Sequence, residues 1–321
     1  MIHIPKDEIK YEKTNEQSRA IMNGYHASPS PRELHKGAKS YDVKGLKKRD
    51  LDNLLTQDGD YTSKFTIGIE IEKNRFYRRV YDELNLIKGY ETDGSCGYEA
   101  ITNILPLLPA SVWRQKIFNM IHEARYLIED RYSPSDRSCG GHITLACNGM
   151  TSGELHQRLR KHSGILYAMF EKRLKNNFCR WNMRMLPTRP SGNHWRPAEE
   201  RQGVNYRGDF HHKYQVCLDK GSGLVEFRLP SRFTSVKQTM RRYELMYILM
   251  DIAVNKPRTS HDALTKRVYP ILMSMYERNE DKVAYVISQS KHWKDFINKG
   301  KIHDNINEFT RGYQYTISRN R

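Results

Sequence analysis

Two glutamates, Glu70 and Glu72, stand two residues apart at the end of the stretch FTIGIEIE, Phe65–Glu72. The strict alternation of apolar and polar residues predicts a strand with the apolar side chains on one face and both glutamates on the other. Residues two apart on a strand are separated by about 6.5–7 Å. Carboxylates at that spacing repel each other unless solvent, a partner or a cation compensates their charge. The stretch therefore indicates either a site for a hard cation such as Mg²⁺ or a solvated outer strand face.

Two further segments place single ionisable side chains on predicted strands. The run Tyr98–Thr102 is rich in strand-forming residues and carries Glu99. His142 opens the predicted strand His142–Cys147 directly after two glycines, which permit close approach of the backbone. A single histidine beside a strand is more often structural than functional, so His142 gains weight only from its neighbours.

The last such segment is a β-hairpin predicted around residues 220–223. Its second arm, Leu224–Leu229, places Glu226 and Arg228 on one face, which fits a cross-strand ion pair or a functional site. Side chains from neighbouring strands can converge on one sheet face. The set that would then form a polycarboxylate site for one or two divalent ions comprises Glu70, Glu72, Glu99, Glu226 and the imidazole of His142, with Arg228 beside it to bind a phosphate.

Carboxylates, divalent ions and an arginine together suit phosphoryl transfer, in which metals neutralise phosphate oxygens and the arginine stabilises charge in the transition state. The common nucleotide-binding motifs are missing, because the sequence contains neither a GxxxxGK[ST] loop nor the protein-kinase motifs. Any nucleotide site must therefore be built in another way.

The composition is that of a globular protein, with 321 residues, 38% hydrophobic, 28% charged and 11% aromatic. No apolar run reaches the ~20 residues of a membrane span, and the N-terminus lacks the apolar segment of a signal peptide. The five cysteines are odd in number and form no CxxC pair. We therefore expect a soluble cytoplasmic protein without membrane contact and with reduced thiols.

The net charge of +17 predicts attraction to polyanions such as nucleic acid or nucleotides. Between residues 154 and 213 there are 13 Lys/Arg against 5 Asp/Glu, a surplus of eight. Part of this surplus lies in a long aperiodic loop at residues 180–207, rich in proline, glycine and aromatics. Binding of substrate, binding of nucleic acid and a merely solvated basic face all stay open, and no usual nucleic-acid motif is present.

The chain divides into three predicted parts. Residues 1–62 form an N-terminal extension with a short helix candidate in LKKRDLDNLL, and residues 63–256 form the catalytic domain. A helix is predicted from Ser111 to Asp130, and others begin at Thr151 and Ser235, where capping residues precede apolar periodicity. Residues 257–321 are a helical C-terminal region packed on the catalytic domain.

The motifs GIEIE, DGS…YEAITNILP, CGGHI and KYQV…GLVEFRLP occur in an order that resembles the amidoligase family. That family belongs to the carboxylate–amine ligases similar to glutamine synthetase and glutamate–cysteine ligase. The resemblance covers roughly residues 65–255. Each motif is weak alone, whereas four in the right order with sensible spacing are fairly specific.

The resemblance implies an α+β fold with a glutamine-synthetase-like antiparallel sheet, ATP and Mg²⁺ (or Mn²⁺) on its concave face, and helices on the other. It implies an ATP-dependent amidoligase that activates a carboxylate as an acyl phosphate and transfers it to an amine, possible substrates being peptides or acidic polymers. The metal ligands would be Glu70, Glu72, Glu99, His142 and Glu226, the catalytic residues Arg228 and Glu226, and the nucleotide contacts His142, Arg228 and Lys213.

The chain departs from the family pattern at three points: Thr144 replaces a second histidine, Ala100 follows the strand-two glutamate, and about sixty residues precede the first strand. Two other functions stay open. One is a Mg²⁺- or Mn²⁺-dependent nuclease or phosphodiesterase. The predicted direction of Lys73, on the strand face opposite Glu70 and Glu72, is an argument against it. The other is a non-catalytic nucleic-acid-binding or virion-associated protein that has kept the fold.

Overall fold

The computed structural model describes residues 53–57, 60–73, 84, 86–91, 96, 98–129, 139–175, 217–221 and 223–298. Within these residues the fold is mixed α and β, with an antiparallel sheet and helices, as predicted. The strands are β1 (Leu54–Gln57), β2 (Asp60–Ser63), β3 (Phe65–Lys73), β4 (Ile87–Glu91), β5 (Tyr98–Thr102), β6 (Leu105–Pro106), β7 (Ile143–Cys147), β8 (Cys217–Gly221) and β9 (Leu224–Phe227).

The main sheet has seven strands in the order β4-β5-β3-β7-β9-β8, and β6 pairs with β3 beside β5. Every pairing in it is antiparallel. The predicted strand Phe65–Glu72 is β3, which pairs with β7 on one side and with β5 and β6 on the other. His142 and Arg228 lie just outside the strands in which they were predicted, although the Glu70 amide still donates to the His142 carbonyl at 3.0 Å.

The helices are α1 (Ala110–Glu123), α2 (Arg125–Ile128), α3 (Ser152–Arg160), α4 (Gly164–Met169), α5 (Val236–Asn255), α6 (His261–Met275) and α7 (Glu280–Asn298), with a 3₁₀ helix at Glu171–Lys175. The predicted helix Ser111–Asp130 is split at Ala124. The predicted caps are confirmed, since the Thr151 and Ser235 hydroxyls accept hydrogen bonds from the third residue of each following helix.

Helices cover the apolar face of β3. Its phenylalanine and isoleucines are at most 1% exposed and join one core with residues of α1, α2 and α5. Tyr243 of α5 anchors the layer, since its hydroxyl donates to the Pro106 carbonyl and accepts from the Leu108 amide. Lys73 also lies on this face, where its Nζ donates to the Ile128 carbonyl at 2.9 Å. The predicted alternation of β3 is thus confirmed on the helical side.

The short hairpin of β1 and β2 precedes the main sheet. Leu54 pairs with Ser63, so the end of the predicted helix LKKRDLDNLL is a strand instead, because hairpin pairing outweighs the local helical pattern. Asn53 ties this hairpin to α5 through Tyr247 Oη at 3.1 Å and Asp251 Oδ1 at 3.0 Å. At the other end of the chain, α7 packs on α4 and α6 packs on α5.

Among the residues that the structure describes, no helix has both the length and the apolar content needed to cross a bilayer. The predicted boundaries near residues 62 and 256 stay predictions.

Candidate functional site

The strand register brings the predicted acidic residues to one face of the sheet. Glu72 of β3 pairs directly with Glu99 of β5, and Glu226 of β9 pairs with Thr144 of β7. Because Ile69 pairs with Ile143, the next residue along β3, Glu70, stands opposite His142. We call the resulting group the carboxylate cluster: Glu70, Glu72, Glu99, Glu226 and His142.

The carboxylate cluster is buried, although its face of the sheet is opposite the helices. Glu70 is 3% exposed, Glu72 4%, Glu99 5% and Glu226 0%. The solvated outer face that the sequence allowed for Glu70 and Glu72 is therefore wrong. Burial of four carboxylates at this spacing is costly unless cations or hydrogen-bond donors compensate them.

His142 lies between the carboxylates and contacts them through both ring nitrogens. Its Nδ1 is 2.7 Å from Glu70 Oε2 and 3.9 Å from Glu226 Oε1, whereas its Nε2 is 3.1 Å from Glu72 Oε1. A neutral imidazole has one N–H donor and one lone pair. Only one ring nitrogen can therefore donate to a carboxylate, and the other calls for an additional proton or a cation beside it.

Arg228 contributes a permanent positive charge at the edge of the carboxylate cluster. Its guanidinium is 2.7 Å from Glu226 Oε1, and both side chains are buried. Burial acts to lower the pKa of Arg228, but the charges of Glu226, Glu70, Glu72 and Glu99 outweigh it and raise the pKa. The arginine thus feels all four carboxylates, and it stays charged.

The donor set of the carboxylate cluster fits hard divalent cations. Two triads have ligand atoms within 4.8 Å of one another, namely Glu70–His142–Glu226 and Glu72–Glu99–His142. Four carboxylates gather beside one arginine and one imidazole, and their oxygens are the ligands that Mg²⁺ or Mn²⁺ prefers. Thr144 Oγ1 is buried, has no hydrogen-bond partner among the described residues, and adds an oxygen next to Glu226.

The two glycines before His142 are required by close packing. A Cβ on Gly140 would come within 2.9 Å of His142 Nε2, and its amide donates to Glu72 Oε2. A Cβ on Gly141 would lie 2.5 Å from the Ser231 carbonyl oxygen. The predicted close approach of the backbone is thus confirmed, and it seats the imidazole against Glu72.

Sequence reasoning missed three residues beside the carboxylate cluster. Arg173 lies within reach of the same glycine, with one guanidinium nitrogen 2.8 Å from where a Gly140 Cβ would be and another donating to the Cys139 carbonyl at 3.1 Å. Cys96 and Cys139 lie next to Glu72. Arg173 falls in a helical basic segment, and the two cysteines form no CxxC pair, so neither periodicity nor the usual spacing of metal ligands marks them. Lys213 and the loop 180–207 lie outside the described residues.

No protein-family model matches the chain, and no curated protein matches it. The function must therefore be argued from the side chains that the sheet brings together.

Proposed function

We propose that the chain is an ATP-dependent carboxylate–amine ligase with a glutamine-synthetase-like catalytic sheet. One observation carries the proposal: four buried glutamates from three strands, one imidazole and one buried arginine meet on a single sheet face. A structural salt bridge would need one carboxylate for Arg228, whereas several carboxylates within reach of one imidazole also supply the ligand atoms of a divalent-ion site.

Mg²⁺ or Mn²⁺ at this site would neutralise the phosphate oxygens of ATP during phosphoryl transfer to a carboxylate. The residues placed to hold one ion are Glu72, Glu99 and His142, and those for a second are Glu70 and Glu226. Arg228 is oriented by Glu226 and would bind the transferring phosphoryl group. Attack of an amine on the activated carboxylate would then form the amide.

The proposed site gives different tasks to the two nitrogens of His142. In the tautomer with the proton on Nδ1, the 2.7 Å contact would be a hydrogen bond donated to the Glu70 carboxylate. Nε2 then keeps the lone pair that faces Glu72 and is the nitrogen that would bind a cation. Glu70 therefore orients the imidazole in addition to its role in the second triad.

A metal-dependent nuclease has less support from the same residues. Such sites commonly add a lysine beside the acidic pair, and Lys73 is directed to the helical side, where it donates to the Ile128 carbonyl. Arg228 is held by Glu226 at the edge of the buried carboxylate cluster, which suits a small phosphoryl group.

The proposal is tested with the purified full chain, Mg-ATP and a panel of amino acids, amines and acidic peptides. We expect release of ADP and phosphate that depends on a carboxylate and an amine, and an amide product by mass spectrometry. Glu99→Gln should lower this rate by about 10- to 100-fold or more, because metal affinity falls.

The matched control is Glu154→Gln, which changes an exposed glutamate that pairs with Arg158 on the surface of α3. It should keep the wild-type rate. Absence of any divalent-dependent ATP binding by the wild-type chain would overturn the proposal.

A further inference from the structure

Two cysteines lie against the outer side of the carboxylate cluster. Cys96 and Cys139 are both free thiols and both buried, at 9% and 0% exposure. Their sulfurs share a hydrogen bond, and together with a Glu72 oxygen they form a group whose ligand atoms all lie within 4.8 Å. Glu72 also belongs to the triad with Glu99 and His142, so a single carboxylate connects two sets of ligands.

The two sets differ in chemical softness. Oxygen and imidazole ligands around Glu99 suit Mg²⁺ or Mn²⁺, whereas two thiolates beside a carboxylate suit Zn²⁺. Two sulfurs bound to one tetrahedral zinc ion at 2.3 Å lie about 3.8 Å apart, which is close to the hydrogen-bonded separation of a thiol pair. Little movement of Cys96 and Cys139 would be needed.

We propose that Glu72, Cys96 and Cys139 form a second metal site, selective for thiophilic divalent ions of the Zn²⁺ class. Both thiols lose their protons to solvent on coordination, and water or Glu99 completes a four-coordinate shell. A hydrogen bond with Cys139, burial and the charges of Glu72 and Glu99 raise the pKa of the Cys96 thiol, and a divalent ion bound at the sulfurs would offset those charges.

Occupancy of this site withdraws Glu72 from the carboxylate cluster. One carboxylate can bridge two ions, but a Zn²⁺ held by two thiolates draws the Glu72 oxygens toward the sulfur side and away from His142 Nε2. Zinc is therefore expected to lower the affinity for Mg²⁺, and with it the ligase activity. This last consequence rests on the proposed function, whereas the metal site itself does not.

The test uses Co²⁺ as a spectroscopic substitute for Zn²⁺, with the full chain under reducing conditions in a Cys179→Ser background. Thiolate coordination gives a sulfur-to-cobalt charge-transfer band in the near ultraviolet. We expect this band in the parent protein, its bleaching by one equivalent of Zn²⁺, and its loss in Cys96→Ser and in Cys139→Ser. Cys147→Ser is the matched control, because Cys147 belongs to the hydrophobic core and its thiol donates to the Asn148 carbonyl; the band should be unchanged in this variant.

Each outcome has a defined meaning. A band that persists in both Cys96→Ser and Cys139→Ser overturns the metal site. Absence of a band in the parent protein overturns it as well, and this result does not depend on how well a variant folds. Far-ultraviolet circular dichroism checks that the variants are folded. A band without ligase activity would support the metal site and contradict the proposed function. Ligase activity without a band would support the proposed function and contradict the metal site.

Discussion

At the scale of single residues, Arg228 compensates the charge of the buried Glu226 in the metal-free protein. Glu226 is fully buried, and the Arg228 guanidinium donates a hydrogen bond to its Oε1 at 2.7 Å. Removal of one partner of a buried pair leaves the other charge without compensation, which costs about 3–5 kcal/mol. Here the cost falls on a site that already contains an excess of carboxylates.

We therefore predict that Arg228→Met lowers the free energy of unfolding of the metal-free protein by about 3–5 kcal/mol. Arg228→Lys should lose less, since it keeps the charge but not the planar guanidinium. The measurement is denaturant unfolding in the presence of EDTA. The double variant Arg228→Met/Glu226→Gln should recover part of the loss, which isolates the pair from packing effects. Equal stability of Arg228→Met and the wild type would show that the arginine does not compensate the carboxylates.

The residues of the carboxylate cluster were predictable because strand periodicity acts locally. Alternation in β3 placed Glu70 and Glu72 on one face, and the same rule applied to Glu99 and Glu226. The contacts of Arg173, Cys96 and Cys139 were not predictable, since they depend on where irregular segments cross the sheet. Burial of the acidic face was equally beyond a local pattern, because it depends on what covers the sheet.

At the scale of elements, Gly164 controls how closely α4 approaches α7. A Cβ at this position would lie 2.5 Å from the Ser290 carbonyl oxygen and 2.8 Å from the Lys294 amide nitrogen. Replacing glycine in a helix usually stabilises it by up to about 1 kcal/mol. Here we predict the opposite sign, because both obstructing atoms are backbone.

Gly164→Ala should lower the free energy of unfolding by about 1–3 kcal/mol, as expected for overpacking. Thermal or denaturant unfolding measures it. The control is Gly149→Asn, where φ is +77° but a Cβ would meet nothing within 4 Å, so the cost should be small for a residue that tolerates this conformation. A stabilised Gly164→Ala variant would contradict the close crossing of α4 and α7.

Two buried histidines make the same helical layer sensitive to acid. Burial lowers the pKa of His162 and of His261, and the charge of Lys294 lowers both further. A backbone hydrogen bond and the charges of Asp262 and Asp295 oppose the shift at His261 without reversing it. In the unfolded chain both histidines take up protons near their ordinary pKa of 6.5, whereas the folded chain binds them only at lower pH.

Stability should therefore be constant above about pH 7.5 and should fall as the pH drops below 6.5 toward the lowered pKa values. Denaturant unfolding across this range measures the slope. His261→Gln and His162→Gln should each flatten the curve, whereas His292→Gln, an exposed position on α7, should leave it unchanged. A curve that keeps its full slope in the double variant His162→Gln/His261→Gln would rule out these two groups as its cause.

Element boundaries were predicted less well than element types. The predicted strands at β3, β5, β7 and β9 exist, but β7 begins after His142 and β9 ends before Arg228. The predicted helix Ser111–Asp130 is split at Ala124. The β1–β2 hairpin was missed because it depends on the pairing of β1 with β2 and on the hydrogen bonds from Asn53 to α5. Sequence periodicities of two residues for strands and 3.6 for helices do not contain such information.

At the scale of the whole molecule, the chain has a net charge of +17. The four glutamates of the carboxylate cluster are at most 5% exposed, so their negative charge is hidden from a large partner. A basic protein binds polyanions without sequence preference. The affinity falls steeply with added salt, because the release of counterions from the polyanion on binding then becomes less favourable. Such binding would not by itself indicate a nuclease or a nucleic-acid-binding function.

We predict that the chain binds duplex DNA weakly at low salt and that log K falls linearly with log salt, with a slope of about −0.9 per phosphate contacted. Fluorescence anisotropy over a salt series measures it. Glu99→Gln should bind with the same affinity and slope as the wild type, because Glu99 is only 5% exposed and belongs to the buried carboxylate cluster. No cleavage should appear with Mg²⁺ or Mn²⁺. Cleavage by the wild type that Glu99→Gln abolishes would move the assignment of the cluster from ligase to nuclease, whereas salt-insensitive binding would point to a specific nucleic-acid site outside the cluster.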